Sequence, residues 1–303
     1  MKRTVYLLFA LLTISSSAFA QGFYFRGGLG YDFSMSGETS DGNGTPLSGS
    51  VKNGSYTQTY SINRVSFGTG LQANVAVGYM FTRNVGIDLG LEAILAPKSY
   101  SFSIDSVNYG GVESSLTYTQ KANNPVFLVP ALVMQTDNEK WNIYSRVGIV
   151  LPLSTAMTQD QIIQNLPGTG ALTTDDFTFK MTNSFSVGFS GTVGVKCSIT
   201  DRLKVFGEFN FFSLSVLTKT SDISAFSENG VSYSTKYVTG GVHKVYSKTP
   251  VVDSNANQQV AYPNSFSHLG VNVGVSFSIG RQRSPAKKVE NDGYFKKKSH
   301  GDF

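Results

Sequence analysis

Residues 177–199 read FTFKMTNSFSVGFSGTVGVKCSI. Every odd position is apolar, small or amide: Phe177, Phe179, Met181, Asn183, Phe185, Val187, Phe189, Gly191, Val193, Val195, Cys197 and Ile199. The even positions between them are Thr, Lys, Ser and Gly. Successive side chains of a strand point to opposite faces, so this spacing predicts one strand with a greasy face and a wet one. Ordinary strands run to about five or six residues, and about 9 to 11 tilted residues cross a bilayer. No charge falls on the odd face, and the stretch is expected to cross. Cys197, the chain's single cysteine, takes odd parity and is expected on the lipid face as a small hydrophobe. Alone it can form neither an intrachain disulfide nor a Cys-based metal site.

The first residues predict which membrane such a strand would reach. Lys2 and Arg3 precede the apolar run Val5 to Leu12, and Ala18-Phe19-Ala20 forms a small-x-small cleavage triplet before Gln21. That pattern predicts a signal peptide over 1–20, cleaved on export. An uncleaved helix is the alternative, but the apolar run is too short to span. Gln21 in place of Cys gives no lipoprotein anchor at the mature end. After Ala20 no stretch of 18 apolar residues occurs, so no transmembrane helix is expected. A mean hydropathy near zero would ordinarily suit a soluble chain. In a membrane barrel only alternate residues face lipid, which dilutes the signal. Charged residues make up 15% of the chain, against about 25% in typical soluble domains.

The formal net charge of +5 is located at the ends. Lys2 and Arg3 account for two units, and residues 281–303 hold seven Lys or Arg against three Asp or Glu, leaving −1 for residues 21–280. Nucleic-acid binding is therefore not expected of the body of the chain. The tail 281–303 reads as a solvated end or as a periplasmic contact with anionic cell-wall polymer or headgroups.

Seven further segments read as strands, the fourth of them weakly and the others with the same alternation. The first, Phe23 to Met35, sets Phe23, Phe25, Leu29, Tyr31 and Phe33 against Arg26, Asp32 and Ser34. The second, Val65 to Phe81, sets Phe67, Leu71, Val75, Val77 and Tyr79 against Gln72 and Asn74. The third places Val85, Ile87, Leu89 and Leu91 opposite Asp88 and Glu92, and the fifth places Ile143, Val147, Ile149 and Leu151 opposite Tyr144 and Arg146. In the seventh, Val205, Phe209 and Phe211 oppose Lys204, Glu208 and Asn210; in the eighth, Leu269 to Ile279 opposes His268, Asn272 and Ser276. The fourth, Val126 to Met134, is apolar on both faces and contains Pro130, a residue expected at edges or bulges. Aromatic residues ten or twelve apart on one strand, Phe23 with Phe33 and Phe67 with Tyr79, suggest rings at two interfaces.

Connections alternate in length. Short turns fall at Thr82–Asn84, Thr136–Lys140 and Thr200–Arg202, and long ones at about 37–63, 97–123, 154–176 and 218–264. Eight strands in an up-and-down meander result, with both termini on the short-turn side, which in outer-membrane barrels is the periplasm. Glycine-rich turns at Asn108-Tyr109-Gly110-Gly111 and Thr239-Gly240-Gly241 predict hairpins over 99–119 and 231–248. The second could add two membrane strands and make ten, against which stand Lys236, Lys244 and Lys248.

On these features the chain resembles the eight-stranded outer-membrane β-barrel family that includes the barrel of OmpA and related small barrels of Bacteroidetes. The resemblance covers about residues 21–280. Its most specific part is Asn272-Val273-Gly274-Val275-Ser276-Phe277-Ser278-Ile279. Asn272, Gly274, Phe277 and Ile279 fit the insertion signal read by the barrel assembly machinery. In the family that signal usually ends the chain, whereas here 24 residues follow Ile279. The resemblance implies a closed all-β barrel in the outer membrane of a Gram-negative bacterium, exposed at the cell surface.

An eight-stranded barrel has a lumen about filled by side chains, so inward charges must be paired or hydrated. Arg26, Asp88, Arg146 and Glu208 lie about four to six residues in from the short-turn end, with Lys196 close by on the sixth strand. The sequence predicts that they form an ionic network plugging the barrel, or else separate charges solvated by trapped water. Catalysis has little support. His243, His268 and His300 are the only histidines; His243 with Asp253, or Asp175 with Asp176, could be imagined as a protease or lipid-modifying site without any spacing that requires it. Gly168-Thr169-Gly170 reads as a turn, not a phosphate loop. No cofactor, metal or catalytic residue is expected. The chain is read as a structural or surface-interaction barrel with an unidentified extracellular ligand, then as a narrow, porin-like pore, then as a barrel enzyme.

Overall fold

The computed structural model describes residues 22–35, 49–52, 57–60, 65–107, 113–138, 140–166, 170–235, 243–249 and 257–279. The expectations for the signal peptide 1–20, the tail 281–303, the two glycine-rich turns, Gly168-Thr169, Asp253 and His300 lie outside them. In chain order, β1 (Phe23–Ser34) is followed by β2 (Gly49–Lys52) and β3 (Thr57–Tyr60) in the first long connection. β4 (Gly70–Met80) turns tightly into β5 (Val85–Pro97), and the second long connection carries β6 (Tyr100–Val107) and β7 (Glu113–Ala122). β8 (Val126–Gln135) turns into β9 (Trp141–Ser154), followed by β10 (Met157–Leu166) and β11 (Thr173–Asn183). β12 (Gly188–Ser198) turns into β13 (Leu203–Ser213). The fourth long connection holds β14 (Ser215–Glu228), β15 (Val231–Tyr233), β16 (His243–Ser247), β17 (Gln258–Val260) and β18 (Pro263–Ser265), and β19 (His268–Ile279) ends the wall.

Eight of these strands close a barrel in the order β1-β19-β13-β12-β9-β8-β5-β4. Each pairs antiparallel with its neighbours in the meander, and the cylinder shuts where β1 meets β19 in unbroken register from Phe23↔Ile279 to Ser34↔His268. The fold is therefore an all-β, closed, up-and-down eight-stranded barrel with three short turns at one end. The ten-stranded alternative is corrected: β16 pairs with β14 and β17, in a sheet separate from the wall. The reason lies in Asn229 and Gly230, both at positive φ, which fold β15 back onto β14. Among the described residues, β15 and β16 each pair with β14.

Period-two alternation dictates the wall's two faces. Every barrel strand turns an apolar side chain outward, among them Leu29, Val75, Leu89, Leu132, Val147, Val193, Phe209 and Val273, exposed from 45% at Leu132 to 71% at Phe209. Phe23 packs on Tyr79 and Tyr79 on Phe81 near the short turns, while Tyr31 meets Phe33 at the other end. Cys197 shares the side of Val193 and Val195 and is half-buried. Pro130 sits within a fully paired cylinder instead of at an edge. β8 keeps Leu89↔Pro130 toward β5, and the ladder toward β9 skips Val129 and Pro130, where the missing N–H would have been needed.

Two sequence expectations fail at the junction above the wall. Residues 177–199 are not one strand: the ladder stops at Asn183 and resumes at Gly188. Odd positions point inward in β11, where Met181 is buried, and outward in β12, where Phe189 is exposed. The gap lets the chain pass from one sheet to another, so parity restarts. Likewise β4 begins at Gly70, and Phe67, expected to face lipid, is completely buried. The remaining eleven strands build a second sheet from the long connections, in the path β17-β16-β14-β11-β10-β7-β6-β2-β3. β6 and β7 pair as the expected hairpin. Among the described residues, the long connections are thus largely strand.

Candidate functional site in the barrel lumen

Inward side chains stack in three layers along the barrel axis. The layer nearest the short turns is ionic. Parity brings Arg26 of β1 and Asp88 of β5 to one height, and the Arg26 guanidinium donates from Nε to Asp88 Oδ2 at 2.9 Å and from Nη1 to Asn74 at 2.8 Å. Across the lumen, Arg146 of β9 donates from Nη2 to both oxygens of Glu208, each at 2.7 Å. Arg146 Nη1 also lies 4.0 Å from Asp88 Oδ2, which links the two pairs. Two tyrosines complete the carboxylates: the Tyr24 hydroxyl donates to Asp88 at 3.0 Å, and the Tyr144 hydroxyl donates to Glu208. Asn272 Nδ2 donates to Glu208 at 3.3 Å. Lys196 does not join through a carboxylate; its ammonium stands 4.3 Å from the Tyr144 ring centroid and 5.2 Å from that of Tyr24, a cation–π arrangement.

Glycine makes room for this layer. A Cβ at Gly78 would lie 2.2 Å from the Tyr24 ring, and one at Gly194 would lie 2.7 Å from the Tyr144 ring. Each tyrosine lies over the backbone of a neighbouring strand, which aims its hydroxyl at the centre. The four residues Arg26, Asp88, Arg146 and Glu208 have side chains no more than 6% exposed. A charge in such a place requires partners, and each carboxylate here has three hydrogen-bonding or ionic neighbours.

The middle layer is polar with less charge. Gln72 of β4 donates to Glu92 of β5 at 3.0 Å, while Asp32 of β1 faces His268 of β19, with Asn210 of β13 beside them. All five are buried.

The third layer, where the long connections emerge, is aromatic. Phe127 of β8 and Phe212 of β13 point inward with centroids 4.8 Å apart, and Phe266 and Phe67 each add a ring 6.0 Å further on. Phe67 arrives on the segment 65–69, held by its N–H to the Ser265 carbonyl at 2.8 Å. Phe266 is held by its N–H to the Leu214 carbonyl at 2.9 Å. Ile94, Val129, Val150, Leu214 and Val216 fill the space around them. This layer explains why the fourth predicted strand is apolar on both sides: Phe127 and Val129 belong to a core. Sequence reasoning missed it, although Phe127 and Phe212 at inward parity were the available signal.

Other singled-out residues fall elsewhere. Phe277 and Ile279 face outward on β19, Asn272 belongs to the ionic layer, and Gly274 lies beneath the Phe206 ring. Asp175 and Asp176 sit on adjacent positions of β11, opposite Glu228 and Ser227 of β14. His243 pairs with Asp222 across β16 and β14, with both side chains about half exposed. The second sheet carries hydroxyl pairs on the same kind of surface, Ser101 with Thr119 and Thr182 with Thr220.

No family model matches the chain, and no curated protein matches its sequence. Among solved structures it is similar to that of Ail, the attachment invasion locus protein of Yersinia pestis, determined in complex with the heparin analogue sucrose octasulfate. That match has 7% identity over 86% of this chain and 99% of the other, with a TM-score of 0.28. It is also similar to CarO of Acinetobacter baumannii, at 14% identity over 68% of this chain and 92% of the other, with a TM-score of 0.28. At these scores the likenesses carry no argument about activity. The barrel rests on its own strand register.

Proposed function

We propose that this chain is an integral outer-membrane barrel with a structural or surface-interaction role. Its lumen is sealed, and its second sheet faces the outside. The observation that carries this reading is the double closure of the lumen, by the ionic layer at one end and the aromatic layer at the other, inside a wall whose exterior is apolar all round. An exposed apolar belt contributed by all eight strands has no use in water, where large contiguous apolar patches are rare. Against acyl chains it is the expected surface. Short turns then face the periplasm together with both termini. The segment Asn272–Ile279 supplies the signal for the assembly machinery, and the tail 281–303 is available to the cell wall.

The second sheet offers binding groups on a rigid support, as loops on a scaffold do. Hydroxyl pairs and the His243–Asp222 pair lie on its exposed strands. The narrow-pore reading draws on Asn74 Nδ2 of the ionic layer and Gln72 Oε1 of the middle one, which have no protein partner and would suit water. A pore would also need both seals to part.

A membrane-impermeant amine reagent applied to intact cells tests orientation and surface role together. Lys180 and Lys219, both exposed in the second sheet, should be labelled, and Lys140 at a short turn should be protected. Labelling of Lys140 alone would overturn the proposal.

A further inference from the structure

His268 opens β19 where the polar middle layer meets the aromatic one. Its ring is 1% exposed and stacked on Phe212, with centroids 4.4 Å apart and 14° between planes. Nδ1 lies 3.0 Å from the Phe266 carbonyl oxygen, and Nε2 faces Asp32 Oδ2 at 3.4 Å. A carbonyl only accepts, so Nδ1 must carry hydrogen. A neutral imidazole has one N–H, which leaves Nε2 as a lone pair aimed at a carboxylate. The opposite tautomer moves the same conflict to Phe266. Asp32 is completely buried; as placed, neither of its oxygens receives a donor, and the Asn210 amide is the neighbouring group within hydrogen-bonding reach of it.

The groups packed around the pair do not resolve it. β5 presents Glu92, whose charge acts on Asp32. β4 presents Gln72, engaged by Glu92, and the segment 65–69 presents Gly68, where a Cβ would lie 2.6 Å from His268 Nδ1. β13 presents Phe212 and Asn210. Asn210 Oδ1 and Asp32 Oδ1 each lie 2.1 Å from the place a Cβ of residue 270 would take, so both fold over Gly270. Turning the Asn210 amide over would give Oδ1 a donor and leave the contact between Oδ2 and Nε2 unchanged. Arg26, the guanidinium whose charge acts on Glu92, is already bound to Asp88.

We infer that His268 and Asp32 bind one proton between them, and that this proton latches the aromatic layer to β1. It is held either as imidazolium with carboxylate or as imidazole with carboxylic acid, both of zero net charge. When hydroxide removes it, a lone pair faces a carboxylate, and Asp32 and Glu92 are left as two buried anions. The contacts strained by that loss are those of His268 with Phe212 and Phe266, so the aromatic seal loosens on the alkaline side.

Infrared and ¹⁵N-histidine NMR spectra of the purified, refolded protein in detergent test the site on the natural sequence. Near neutral pH we expect either both nitrogens of His268 protonated or a protonated carboxyl band, lost as pH is raised. A singly protonated His268 beside an ionised Asp32 at neutral pH overturns the site. The thermal midpoint of the folded gel band tests the latch. It should fall at alkaline pH in the natural protein and hold in Asp32→Asn, whose amide donates to Nε2 without binding a proton. An equal alkaline fall in both proteins overturns the latch. If Asp32→Asn fails to fold, the same comparison is made with His268→Gln, and the spectra of the natural chain stand regardless.

Discussion

The two ends of the lumen are closed by opposite chemistry. At the short-turn end, Arg26, Asp88, Arg146 and Glu208 hold one another through oriented bonds of 2.7 to 2.9 Å. At the far end, Phe67, Phe127, Phe212 and Phe266 pack with centroid separations of 4.8 to 6.0 Å. Oriented bonds concentrate stability: Asp88 alone serves Tyr24, Arg26 and Arg146, so its loss leaves several buried groups unmatched. Ring packing spreads stability over many weak contacts, and no single ring is the only neighbour of another. The ionic end is therefore brittle and the aromatic end tolerant.

The largest expected effect breaks that comparison at its brittle end. Asp88→Ala should destabilise the folded barrel by about 3–5 kcal/mol, because a guanidinium and a phenol lose their partner in the interior. The midpoint of urea unfolding in detergent, followed by heat-modifiable migration, reads it. A double change, Asp88→Leu with Arg26→Met, should recover much of that loss. Recovery of none would mean the layer does not act as a paired unit. Next in size, Phe127→Leu keeps most of the volume and should cost about 1 kcal/mol. A loss as great as that of Asp88→Ala would show the aromatic end to be equally brittle. Smallest is Asp137→Ala at a short turn, which removes an exposed pair with Arg83 at 3.0 Å. Surface pairs contribute about 0–1 kcal/mol, so a midpoint shift beyond that range would show that the turn organises the wall.

Much of the wall was legible in the sequence because a strand's period of two leaves parity as a direct record of facing. Leu29, Val147 and Val273 follow it without exception, and the alternation of short and long connections gives the meander. Parity and counting from the short turns also put Arg26, Asp88, Arg146 and Glu208 inward at similar heights. They could not say that Tyr24 and Tyr144 complete the carboxylates, nor that Lys196 rests over rings, since strand tilt decides which heights meet. The breaks were illegible for another reason. Ser184–Val187 contains no glycine or proline and keeps alternating, so nothing local announces that the chain changes sheets there. Phe67 continues the outward pattern of β4 on paper, yet the ladder begins at Gly70. The second sheet is built by pairing between separate connections, such as β7 with β10 and β11 with β14, and long-range pairing leaves no short-range mark.

In the proposed function, an apolar cylinder spans the bilayer with its lumen shut at both ends. Single-channel recording of the purified, refolded chain in a planar bilayer tests it most directly. Insertion should remain electrically silent at neutral pH, and the block should continue when Phe67 and Phe266 are both changed to Ala, because the ionic layer still fills the lumen. A large, steady conductance from the natural chain would contradict it.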